Sequence, residues 1–159
     1  MTSFEKFGPL FGRVLIAQIF LIAGFGKIAH FAQTAGYMSS MGLPMADVLL
    51  TLTIALEIGG GLMILLGFYA RYAAIAFFFW LIPVTLTFHA FWHADAASMQ
   101  NQMNNFMKNI AIMGAMIYLA VYGSGSFSLR RECHKGQAEH TSPWKANSSH
   151  REHRDKATL

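Results

Sequence analysis

The sequence predicts an all-α fold: an integral membrane four-helix bundle, with both termini cytoplasmic and a disordered polar C-terminal tail. Three observations carry that prediction. The chain of 159 residues is 54% hydrophobic and only 13% charged, a balance too apolar for a soluble domain of this length. Four apolar stretches approach the roughly 20 helical residues that a hydrocarbon core of about 30 Å requires. Lysine and arginine are confined almost wholly to one set of connections.

The first helix is expected over residues 10–29. Lys6 and Arg13 precede its apolar run as they would in a signal peptide, but Lys27 interrupts the end and no pair of small residues for cleavage follows, so a retained helix is expected. The second helix spans 46–68. Pro44 in "GLPMAD" stands just before it, where a missing amide hydrogen costs little. The third spans 72–92, and its "AAIAFFFWLIPVTLTF" offers two threonines and one indole nitrogen, far too little for the polar face of a soluble helix. The fourth, at 106–122, is the shortest and meets a glycine stop in "GSGSFS". Aromatic rings frame the spans at Phe7, Phe11, Tyr69, Tyr72, Phe91, Trp92, Tyr122 and Phe127, as amphipathic rings do at a bilayer boundary.

Ten of the 12 basic residues fall at the N-terminus, in the second connection at Arg71, or in the tail. The first and third connections contain none, and the positive-inside rule therefore keeps both termini in the cytoplasm. The expected domains are 1–129, the helical bundle, and 130–159, a polar tail of mixed charge with almost nothing to bury. Cys133 is the sole cysteine and lies in that tail, so an intrachain disulfide and a two-cysteine redox motif are both excluded. The four tail histidines fit no metal-ligand spacing and read as a solvated segment. The expected partner is the lipid bilayer, with an oligomer left open and no nucleic acid.

"TIALEIGGGLMILLGF", residues 53–68, places Glu57 near the middle of an otherwise uncharged span. A charged side chain there costs at least about 2.5 to 3.5 kcal/mol on insertion scales, and a short glutamate cannot reach water about 15 Å away. It needs a proton, a partner or internal water. Thr53, Glu57, Gly60 and Gly61 share one helix face, a face for close packing. Arg13, Ala17, Gly24 and Lys27 share a side of the first helix, making Lys27 and Arg13 the candidate partners of Glu57. The third helix is expected to carry Thr85, His89 and His93 four apart, and the fourth opens with Asn104, Asn105, Lys108 and Asn109 at the same level. Lys27, Glu57, His89, Lys108 and Asn109 are thus expected to converge between midplane and outer surface. The plainer readings stand beside this one: lysines that only snorkel, an ion pair that only holds helices together, histidines bonded within the bundle. The His89–His93 spacing suits a metal pair, but no third ligand is visible near it, and no metal is expected.

Taken together, "GRVLIAQIFLIAGFGKI", "GLP", "EIGGGLMILLGFYAR", a histidine late in the third helix, and "GSGSFSL" resemble the DoxX family of small four-helix membrane proteins. The resemblance covers about residues 8–129 and rests on the order Arg13, Lys27, Glu57, Arg71, His89. It departs at Leu129, where the family often has an aspartate. The family includes a subunit of an archaeal thiosulfate:quinone oxidoreductase and a mycobacterial member of an oxidative-stress complex, so the resemblance implies a redox-associated inner-membrane subunit. In that reading a quinone is the candidate cofactor. Glu57 and His89 are the expected catalytic residues, Lys27, Lys108 and Asn109 bind a quinone or small sulfur compound, and Arg13 and Arg71 are structural. A non-catalytic scaffold for oxidative-stress partners is the second reading. A small transporter or proton channel is the third.

Overall fold

The computed structural model describes residues 2–129; the expected tail, with Cys133 and the four histidines, lies outside them. The described chain is helical: α1 (Ser3–Ala29), α2 (Phe31–Ser40), α3 (Ala46–Leu66), α4 (Ala70–Phe88), a 3₁₀ turn (Phe91–His93) and α5 (Met99–Tyr122).

α1 starts seven residues earlier than hydropathy places it, because a capping box satisfies its first amides. Thr2 Oγ1 accepts from the Glu5 N–H at 3.3 Å, and Glu5 Oε2 accepts from the Thr2 N–H at 2.7 Å. Its buried face is Arg13, Ala17, Phe20 and Gly24, at helical spacing. α3 buries Leu50, Glu57, Gly60, Gly61 and Ile64. It ends in a paired turn: the Gly67 N–H bonds Ile64 O at 3.2 Å and the Phe68 N–H bonds Met63 O at 2.9 Å, with Gly67 at φ +65°. Only Gly67, Phe68 and Tyr69 separate α3 from α4, so the two run antiparallel.

Three expectations are corrected here. The first connection contains α2, whose Ala35 and Met38 pack against Ala46 and Leu50 of α3. α4 stops at Phe88, so His93 is not a helical neighbour of His89 and Thr85; Phe91 and Trp92 turn back onto the Phe106 ring of α5, at centroid separations of 5.4 and 5.7 Å. α5 begins seven residues before the predicted 106, taking in the polar "MQNQMNN". Ahead of it, Asp95 Oδ1 accepts from both the N–H and the hydroxyl of Ser98 at 2.8 Å, and these bonds hold the Asp95 carboxyl below its ordinary value.

α1 packs on α3, α3 on α4 and α4 on α5, whereas α1 and α5 scarcely touch. The core lies between them: Ala17 and Phe20 from α1, Ile64 from α3, Ala73, Ala74, Phe77 and Leu81 from α4, and Ile112, Met113, Met116 and Leu119 from α5. Phe20 and Phe77 stack at 3.7 Å between centroids. Phe77 fits because Gly60 opposes it: a Cβ on residue 60 would stand 2.7 Å from Phe77 Cε2. The outside is as apolar as the inside, with Ile22 70% and Phe79 64% exposed, which only a hydrocarbon surrounding tolerates over so much surface. Three helical segments are long and apolar enough to cross a membrane: Ser3–Ala29, Ala46–Leu66 and Ala70–His93.

The Gly60–Phe77 contact gives a stability test. Gly60→Val is expected to destabilise the bundle by about 1–3 kcal/mol through overpacking. Gly59→Ala, where a Cβ meets no atom within 4 Å, is expected to be neutral or mildly stabilising. Unfolding midpoints in detergent would measure both, and equal midpoints would remove the packing argument.

Candidate functional site

Lys27 stands in the last turn of α1 and Glu57 near the middle of α3, and the antiparallel packing of those helices brings them together. Lys27 Nζ donates to Glu57 Oε1 at 2.8 Å and to Oε2 at 2.9 Å. The carboxylate is therefore held at both oxygens. Glu57 is only 2% exposed, whereas the Lys27 side chain is 28% exposed. Burial costs the carboxylate its hydration, and the Coulomb attraction and two charge-assisted bonds from Lys27 offset that cost. Of the two cationic candidates on α1, Lys27 is the partner.

The pair borders a cavity of about 390 Å³. Its apolar wall includes Phe20, Trp80, Leu81 and Ile112, and its polar wall includes Lys27, Glu57, His89, Asn105, Lys108 and Asn109. All five residues expected to converge from the sequence thus line one space. Asn109 Nδ2 donates to Thr85 Oγ1 at 3.0 Å, a buried bond that ties α5 to α4 and leaves neither group unsatisfied. His89 Nδ1 lies 2.9 Å from Gln102 Oε1. That contact joins the end of α4 to the first turn of α5 and sets the plane of the His89 ring. Lys108 donates to Asn105 Oδ1 at 2.9 Å, a neutral partner, so its charge adds to the cavity's field.

Gln102 and the α2 residues Thr34, Tyr37 and Met38 also line the cavity and were not foreseen. Gln102 was within reach of sequence reasoning, since it precedes Asn105 and Asn109 by three and seven residues and so shares their helix face. α2 gave no comparable signal. His93 does not line the cavity, and among the described residues no three histidine, cysteine or acidic side chains gather as a metal set.

Arg13 and Arg71 lie at the other end of the bundle. Arg13 Nη2 donates to Phe127 O at 2.8 Å and to Ser126 O at 3.4 Å. Gly67 makes this possible: a Cβ there would run into the Arg13 guanidinium and Ser128. The segment 123–129 thereby folds over the end of α3, where the Leu129 N–H bonds Leu66 O at 3.1 Å. Arg71 sits against Gly123, just past the end of α5.

An apolar-sheathed helical fold with a charged pair inside defines a multi-pass membrane protein. Residues 8–90 match the family model of DoxX. The chain is 34% identical over 122 residues to the inner membrane protein YphA of Escherichia coli (strain K12), covering 77% of this chain and 87% of that one. It is 38% identical over 135 residues to the inner membrane protein YqjF of the same organism, covering 85% and 98%. The chain belongs to the DoxX family and is an inner-membrane protein. No solved structure matches it significantly.

The Lys27–Glu57 pair can be weighed directly by a double-mutant cycle. Lys27→Met strands an acid in the bundle and is expected to destabilise more than Glu57→Gln does. The double variant should recover part of the loss, with a coupling of about 1–3 kcal/mol. Strict additivity would show that the two groups do not depend on each other.

Proposed function

We propose that this protein is a redox-associated membrane subunit whose polar cavity binds a quinone head group or a small sulfur compound. The observation that carries the reading is the position of Glu57: a buried carboxylate on the wall of an aromatic-sided cavity, held by a lysine that is itself partly exposed. An aromatic and apolar wall suits a flat ring, and the few convergent polar groups suit its oxygens. His89 or Lys108 hydrogen-bonds a quinone oxygen, Glu57 handles the proton that accompanies reduction, and Lys27 holds an anionic reactant or intermediate. The electrons come from a redox partner protein. For a sulfur oxyanion, the two lysines are the attracting groups.

In this reading α1, α3, α4 and α5 are four spans. At about 1.5 Å per residue, the 24 residues of α5 reach about 36 Å, enough to cross. Both termini are cytoplasmic because connections 30–45 and 89–98 carry no lysine or arginine while Arg13 and Arg71 lie at the opposite end. The cavity then belongs to the outer half of the bilayer.

A separate observation favours a scaffold: both oxygens of Glu57 are already engaged by Lys27, the arrangement of a helix lock. The readings part on ligand binding. Trp80 lines the cavity, so a short-chain quinone titrated into detergent-solubilised protein should quench its fluorescence saturably, and Trp80→Phe should remove most of that signal. His89→Ala and Lys108→Met should each weaken binding on the order of tenfold, the worth of a charged or well-placed hydrogen bond. Quenching that rises linearly and identically in all variants would discard the quinone site and leave the scaffold.

A further inference from the structure

A second cavity, of about 680 Å³, lies between the first half of α1 and the last half of α5, at the end of the bundle away from the Lys27–Glu57 pair. Because α1 and α5 scarcely touch, this space is a groove between them. Ile16, Ala115, Tyr118 and Leu119 give it apolar walls. Arg13 and Ser124 border it too, and each is only 2% exposed.

Arg13 spends Nη2 on the Ser126 and Phe127 carbonyls, whereas its Nε and Nη1 have no hydrogen-bond partner, nor does Ser124 Oγ. Both of its bonds go to neutral carbonyls and none to a carboxylate. A buried guanidinium with unspent N–H groups, in apolar surroundings, is costly unless an anion answers it. Lys6 stands 5.8 and 5.7 Å from the Phe7 and Phe127 ring centroids, and Arg71 lies against Gly123. Glu5 is the acid on the groove, and its carboxylate accepts from the Thr2 N–H. Among the described residues that line the groove, Arg13 is the cation and Glu5 the acid, and Arg13 is buried whereas Glu5 is exposed.

We infer that the α1–α5 groove is a binding site for an anionic phospholipid, with an acyl chain along the apolar walls and the phosphodiester drawn to the field of Arg13 beside Ser124. Height supports a lipid over a free phosphate: Ser124 follows the end of α5, and Arg13 packs against Gly67 at the end of α3, so the polar part of the groove lies at headgroup level with the apolar part running inward from it. The guanidinium nitrogens and Ser124 Oγ are screened from solvent, so the phosphate sits beside them and is held by charge in a low dielectric, with the carbonyl bonds of Arg13 left in place.

The test uses the full-length protein in detergent, titrated with phosphatidylglycerol, with phosphatidylcholine of the same chains, and with glycerol phosphate as the bare headgroup. Phosphatidylglycerol is expected to bind on the order of tenfold more tightly than phosphatidylcholine. Gly12→Leu fills the groove without disturbing the fold, since Gly12 lines it and a Cβ there meets no atom within 4 Å. It should weaken phosphatidylglycerol on the order of tenfold by removing the apolar berth of one chain. Gly26→Leu, equally open but away from the groove, should leave binding intact. Equal affinity for the two lipids, an unchanged Gly12→Leu, or full competition by glycerol phosphate at lipid-like concentrations would each overturn the assignment. None of these outcomes bears on the Glu57 cavity.

Discussion

The bundle is organised around one electrostatic constraint: a carboxylate in the apolar body of α3 has to meet a cation. Lys27 meets it, and in doing so fixes how α1 lies along α3. A second tie at the other end runs through the segment 123–129: Arg13 donates to its Ser126 and Phe127 carbonyls beside Gly67, and its Leu129 N–H bonds Leu66 O at the end of α3. The ties are fourteen residues apart on α1 and ten apart on α3, about 21 and 15 Å of helix respectively. The long, flexible stems of lysine and arginine span the difference, which shorter cations could not. Small residues between the ties, Ala17 and Gly24 on α1 and Gly60 and Gly61 on α3, let the helices and the Phe20–Phe77 stack come close.

That stack divides the molecule. Phe77 and Met116 are wholly buried, and with Ala17 and Phe20 they form a packed layer between the Glu57 cavity and the α1–α5 groove. A proton or solute path through a single chain would have to cross this layer, to which the described residues Ala17, Phe20, Phe77 and Met116 bring no polar side chain. The two ends accordingly do different work: one holds an acid–base pair beside an aromatic-walled space, the other gathers cations around the end of α3 and the segment 123–129.

The amino-acid sequence reveals the long helices and the inner shell of the cavity because both depend on strong local signals. A glutamate in a span, lysines near span ends, and a histidine and asparagines at one level are each costly in hydrocarbon unless they meet. What stays hidden depends on tertiary contacts. α2 has only ten residues and buries just Ala35 and Met38, so neither length nor periodicity announces it; its helix rests on Ala46 and Leu50 of α3. The third span looks continuous through residue 92 because hydropathy does not register a 3₁₀ turn, and the rings that redirect it find their partner on α5, at Phe106. The early start of α5 stays hidden for the opposite reason: hydropathy reports what lipid accepts, and "MQNQMNN" is helical without being apolar. The choice of Lys27 over Arg13 also needed the fold, since both share a side of α1 and only the packing on α3 sets which of them reaches Glu57.

The asymmetry of the ion pair bears on what the cavity can do. Glu57 is pinned in a helix body with almost no exposure, while Lys27 is partly exposed at the edge of the same space on a flexible stem. Lys27 is therefore the member that can shift. An anionic ligand that drew the ammonium toward itself would take away one or both bonds now satisfying the Glu57 carboxylate, and that buried group would then require a proton or another donor. In that event ligand charge and proton uptake would be coupled without any helix movement. A lock built only for packing would gain nothing from leaving one partner partly exposed beside a cavity, and that asymmetry is the physical reason to look for a ligand there.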